Sequence, residues 1–184
     1  CRIVGVTKGQ YGLTELLGAI LRRLRALGCA PADFIGWAWS MGPDDARMMA
    51  GFRAAGLVRS MTVLFDRSFP TRHPTWVPML RESLGANIYA TNNHAKVLLV
   101  ASGPYRLVVQ SSMNFNINRR FEHFSIEDDP ALHEHWSAIT RWIVARTPAG
   151  LDAIEGAQFH EAFKAALGGG VPRARVSDDI DALL

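Results

Sequence analysis

The chain has 184 residues, 48% hydrophobic and 20% charged, a balance that suits a folded globular domain and excludes a disordered or fibrous chain. No stretch approaches the roughly 18 unbroken apolar residues of a membrane-spanning helix, so no membrane partner is expected and a cytoplasmic location is. Lys and Arg number 20 against 17 Asp and Glu, and the resulting charge of +3 fits a phosphate-bearing partner without specifying one. Cys1 and Cys29 have neither metal-ligand spacing nor the makings of a disulfide framework, which suits a reducing compartment.

Residues 2–6 are a short apolar run, expected as a buried strand. Residues 13–27 place Leu13, Leu16, Leu17, Ile20, Leu21, Leu24 and Leu27 on one helical face, with Arg22, Arg23 and Arg25 mostly opposite and Gly28 as the stop. Residues 34–39 read as a strand. Pro43-Asp44-Asp45 opens a second helix, its carboxylates near the positive end of the helix dipole. Residues 60–65 read as a third strand, and the loop 66–74 leads into a helix ending near Leu84. Further strands are expected at 86–89, 96–100 and 106–109, the last two joined by the turn Ser102-Gly103-Pro104. Residues 121–126 suggest one more strand and 132–144 a helix whose Trp136 and Trp142 face the core.

This order, strand–helix alternation and then hairpin-like strands, predicts an α/β fold: a mixed β-sheet flanked by helices, made by residues 1–147. From 148 to 184 the character changes. A short amphipathic helix over 159–167 is followed by the linker Gly168-Gly169-Gly170. The acidic end then carries apolar residues at helical spacing. It is a candidate docking peptide for a protein partner, or a tail that packs on its own domain.

Chemistry concentrates between Asn92 and Glu122. His94 and Lys96 are two residues apart where a loop enters the apolar run Val97-Leu98-Leu99-Val100, and on a strand such a pair shares one face. A phosphate could lie against both, with lysine balancing its charge and neutral histidine attacking phosphorus. Alone, an H-x-K is usually a surface strand with two polar residues. Here the next strand ends in Ser111-Ser112-Met113-Asn114, and the hairpin would return Ser112 and Asn114 beside the pair. Asn114 could donate its amide to a phosphate oxygen, and Ser112 could support the histidine or the phosphate.

H-x-K, a short hairpin, then a small residue before S-x-N resembles the HKD motif of the phospholipase D superfamily, on His94, Lys96, Ser112 and Asn114. The β/α order extends the resemblance loosely to residue 147. Two positions depart from the motif. The family's aspartate would fall at Ala101, and the glycine before S-x-N is Ser111. The resemblance implies a phospholipase D-like fold and a metal-independent, two-step displacement through a phosphohistidine, without a cofactor. A later carboxylate, with Glu122 the best candidate, would orient a histidine. Histidine's ordinary pKa near 6.5 suits both attack and protonation of the leaving group. Because the chain carries one motif, the resemblance implies a homodimer that places two His94 side chains in one site.

From Ser112 to Glu122 every second residue is polar, as in a half-exposed strand, an ordered loop, or a polar wall along a phosphate groove with Arg120 as a contact. Arg67, Arg72, His73 and Trp76 could grip a nucleic-acid backbone or stack a base. Single-motif members of the superfamily of this size look like nucleases more often than lipases. The resemblance therefore implies a nucleic-acid substrate, DNA ahead of RNA, and the basic balance and lack of a membrane-binding segment agree. The alternatives are a phospholipid phosphodiesterase and a binding or scaffold module that keeps the fold without turnover. No metal is expected: His133-Glu134-His135 lies on a predicted helix, where residues two apart diverge by about 200°.

Overall fold

A computed structural model of the chain describes residues 2–85, 87–147 and 149–151. The helix, glycine linker and acidic tail expected over 159–184 lie outside these residues, as does residue 86, the expected start of a strand.

The strands are β1 (Arg2–Thr7), β2 (Ala32–Ala38), β3 (Val58–Asp66), β4 (Ile88–Thr91), β5 (Val97–Ser102), β6 (Tyr105–Ser111) and β7 (Glu122–Asp128). The helices are α1 (Leu13–Ala26), α2 (Pro43–Ala54), α3 (Phe69–Arg72), α4 (Val77–Leu84) and α5 (Pro130–Val144). The strands form one mixed sheet in the order β1-β7-β6-β5-β2-β3-β4. β2, β3 and β4 run parallel, and the other neighbours are antiparallel. The expected α/β architecture is therefore the one adopted.

The uninterrupted run Val97-Leu98-Leu99-Val100 has its reason here. β5 lies mid-sheet with both faces covered, so inward and outward residues alike are buried. Leu98 and Val100 join the core under α1, α2 and α4. Val97 and Leu99 join the opposite core, where Trp136, Ile139 and Trp142 of α5 pack. α1 buries Leu13, Leu17, Ile20, Leu21 and Leu24 of its expected face, while Leu16 is half-buried and Leu27, past the helix end, is exposed; Gly28 beyond it takes φ +74. Asp129 caps α5 by accepting from Leu132 N at 2.9 Å.

β1 differs from expectation. It is a strand but not a buried one: Ile3, Val4 and Val6 are 54%, 66% and 66% exposed. Among the described residues β1 is the sheet's edge, paired only with β7, and α5 packs chiefly over β6 and β5. The apolar run specified a strand, but burial depended on its place in the sheet.

Ala101, where the motif would carry aspartate, faces the neighbouring strand β2. Asp33 of β2 stands opposite Ala101. It accepts from Arg59 Nε at 3.0 Å and Ser60 Oγ at 2.6 Å, and pairs with Arg59 Nη2. The Arg59 hydrogen bond, chiefly, holds this carboxyl below the ordinary 3.8, against a smaller upward push from burial. The folded chain thus favours the carboxylate, and the pair stabilises above about pH 4 and fades as pH falls through the lowered folded value. Both groups are solvated, so the effect is small. Asp33→Asn should lower the urea midpoint slightly near neutral pH, and the gap should close on acidification. A gap that stays constant into strong acid would mean that the charge is not what matters.

Candidate active site

The parallel strands β2, β3 and β4 end along one edge of the sheet, and that edge collects every element of the site. β5 begins there, since Val97 lies opposite Trp37. β6 ends there, with Gln110 opposite Val97, and β7 begins there, with Phe124 opposite Ser111. The carboxyl ends of parallel strands are where open α/β sheets bind ligands, because the connecting loops diverge and leave a crevice.

His94 and Lys96 lie in the irregular segment between β4 and β5, not on the strand itself. Asn93, 3% exposed, builds that segment. Its Nδ2 donates to the carbonyls of Ala38 at 3.1 Å and Leu64 at 3.2 Å, near the ends of β2 and β3. Its Oδ1 accepts from Ala95 N at 2.8 Å, an Asx-type turn that carries His94 outward. Asp66 Oδ2 accepts from Asn93 N at 3.3 Å. His94 is exposed, and Lys96 Nζ lies 3.2 Å from its Nδ1 and donates to its carbonyl at 2.7 Å. The pair is side by side as its spacing suggests, held by a turn rather than by the pleat. Burial lowers the Lys96 pKa, and the Glu122 charge opposes that shift.

Ser112, Asn114 and Glu122 return to this edge. Ser112 Oγ donates to Glu122 Oε2 and accepts from His123 N at 3.1 Å. Glu122 Oε1 accepts from Asn118 Nδ2 at 3.1 Å. Ser111, in the glycine position of the motif, is fully engaged: its Oγ donates to His123 O at 2.8 Å and accepts from Met113 N at 3.0 Å. Phe115 is fully buried and pins the loop, its N donating to Ser40 O at 3.2 Å and its O accepting from Gly42 N at 2.7 Å. β2 makes room with Gly36, where a Cβ would stand 2.9 Å from the Phe115 ring. Asn114 Oδ1 accepts from Trp39 N at 3.0 Å. Only an oxygen can accept there, so the amide orientation is settled and Nδ2 is the end left to donate.

About four fifths of the chain superposes on each of two solved structures. NucT from Helicobacter pylori matches with a TM-score of 0.59 at 11% identity, covering 81% of this chain and 99% of that one. Nuc from Salmonella typhimurium, a phospholipase D family member, matches at 0.56 and 16% identity, covering 81% and 98%. The chain has a phospholipase D-like fold. No protein-family model and no curated protein matches it by sequence.

In this phospholipase D-like fold the remaining expected contacts fall into two groups. Arg72 lies at the site, its guanidinium 3.8 Å above the Trp39 ring, and Trp39 neighbours His94 at 6.2 Å between ring centroids. Trp76 instead packs against the core and carries His73 stacked on it at 4.1 Å and 9°. Burial first, and Arg72 second, lower the His73 pKa, which favours a neutral ring. Arg67 and Arg120 are exposed; the backbone N of Arg67 donates to Thr91 O at 2.8 Å, and that of Arg120 to Asn118 Oδ1 at 3.2 Å. The polar alternation over 112–122 belongs to an ordered loop rather than a strand. Among the described residues no three His, Cys, Asp or Glu side chains converge to hold a metal, and no helix is long and apolar enough to cross a membrane.

Asn93 and Trp39 were missed by the sequence reading. Asn93 had a local signal, the Asn two residues before a backbone N–H that it can accept from. Trp39 had none beyond its place at a strand end.

Proposed function

We propose that the chain is a metal-independent phosphodiesterase, a nuclease acting through a phosphohistidine on His94 in a site shared by two copies. The observation that carries this reading is the 3.2 Å approach of Lys96 Nζ to His94 Nδ1 at the open edge of a phospholipase D-like sheet. The same ammonium lies 3.5 Å from Nε2, so it stands beside both ring nitrogens. A phosphate oxygen drawn to the ammonium therefore brings phosphorus beside the nucleophile. Asn114 Nδ2 donates to a second phosphate oxygen, and the Ser112–Glu122 pair holds the loop that carries it.

In the first step a His94 nitrogen bonds to phosphorus and the bond to the leaving oxygen breaks, that oxygen taking a proton from a second histidine. In the second step water, deprotonated by that same histidine, attacks phosphorus and releases His94. One chain offers one His94, so the second comes from another copy. The exposed Val4 and Val6 on edge strand β1, and Phe121, 72% exposed beside Glu122, support a contact at this end of the sheet. Arg67, Arg72 and Arg120 favour a polyanionic substrate, DNA ahead of RNA.

The test is plasmid nicking in excess EDTA with His94→Ala as control. Turnover should persist in EDTA and vanish in the variant. Denaturing quench of labelled DNA should yield a protein–phosphate adduct, stable to alkali and labile to acid, that His94→Ala lacks. Abolition by EDTA with rescue by magnesium would overturn the chemistry. Headgroup release from phospholipid without nicking would move the substrate to lipid.

A further inference from the structure

Trp39 follows the last residue of β2, half-buried, with its N–H committed to Asn114 and its ring beside His94. Arg72, the last residue of α3, comes from a different part of the chain to lie over that ring. Its guanidinium is 3.8 Å from the ring centroid. Nη2 donates to the Trp39 carbonyl at 3.2 Å, and Nε donates to Ser68 Oγ at 3.0 Å. Ser68 is fixed in turn by Asp66, which accepts from Ser68 N at 3.0 Å and from its hydroxyl. Asp66 also accepts from Asn93 N, so one carboxylate braces both the His94 turn and the serine that aligns Arg72.

An exposed arginine normally keeps much of its rotamer freedom. This one is held by a ring and two hydrogen bonds, while the residue itself remains exposed. The result is a pre-set planar cation, held over an indole, one side chain away from His94. Guanidinium planes and aromatic rings are the surfaces on which unpaired bases stack, whatever their sequence. A phosphate contact would need only the charge. It would not need the guanidinium to be held over a tryptophan ring.

We infer that Trp39 and Arg72 form a base-stacking platform that takes the nucleobase adjoining the phosphate at His94, making an unpaired nucleotide the preferred substrate. This rests on the phosphodiesterase reading of the His94 site. Trp39 backs the guanidinium, and Arg72 presents its outer plane to the base. A paired base, stacked within a duplex, cannot reach that plane without leaving its neighbours.

The experiment compares a fluorescent single-stranded oligonucleotide with an abasic strand of the same length and charge. Binding is read by anisotropy on the full chain, and cleavage is followed in parallel. Unaltered protein should bind the base-bearing strand about tenfold or more tightly than the abasic one. Trp39→Leu and Arg72→Lys should each bring that ratio close to one. Arg72→Lys keeps the charge and changes only an exposed side chain, so it serves even where Trp39→Leu perturbs folding. A full base preference in Arg72→Lys, or no preference in unaltered protein, would overturn the platform. Equal cleavage of both strands would do so while leaving the phosphodiesterase standing. Base-dependent binding without any cleavage would support the platform and remove the phosphodiesterase reading instead.

Discussion

Replacing Lys96 with alanine should cut turnover by about 10²- to 10³-fold and leave the fold intact. The size follows from where the ammonium sits. It is half-buried at the start of β5, within reach of the His94 ring and of the Glu122 charge. Charge that develops on phosphoryl oxygens in the transition state meets it in a partly dried site, where Coulomb interactions exceed their value in water. In stability the side chain contributes little beyond its hydrogen bond to the His94 carbonyl, about 1 kcal/mol. Lys96→Ala should therefore keep the unfolding transition and lose the rate. The pH profile gives a second reading. Burial lowers the Lys96 pKa, so the alkaline fall in kcat/KM should begin below the usual lysine range, and Lys96→Arg should move it upward. A folded Lys96→Ala protein with full activity would take this residue out of the site.

A dimer of one intact chain and one His94→Ala chain should be nearly inactive. The displacement requires an attacking imidazole and an acid for the leaving oxygen, and each chain offers one His94 at the sheet edge. In the mixed dimer whichever role falls to the altered chain goes unfilled. General acid catalysis alone contributes about 10²- to 10⁴-fold, so retaining one correct histidine does not rescue the rate. Two independent sites would behave differently, because the intact chain would work alone and about half of the activity would survive. Two affinity tags allow the mixed species to be purified and compared with the intact dimer. Half activity, or full activity from a stable monomer, would overturn the shared site even with His94 essential.

Much of the scaffold is local, and for that reason it is legible in the order of residues. The leucine period of α1, the Pro-Asp-Asp opening of α2, the Ser-Gly-Pro turn and the four-residue apolar run of β5 each specify their element through neighbours within a turn or a pleat. The nearness of His94 to Lys96 is legible in their spacing, but the turn that holds the pair, built by Asn93, is not. Tertiary structure decided what depends on register and on which strands become neighbours. The apolar β1 became an exposed edge because, among the described residues, no element packs beyond it. Asp33 came to face Ala101 through the β2–β5 pairing. Asn93 found its acceptors at Ala38 and Leu64, near the ends of two other strands. Arg72 found Trp39 only because α3 folds back over the end of β2. No periodicity encodes such meetings: the partners are far apart in sequence, and the free energy that joins them comes from packing the whole sheet rather than from either residue.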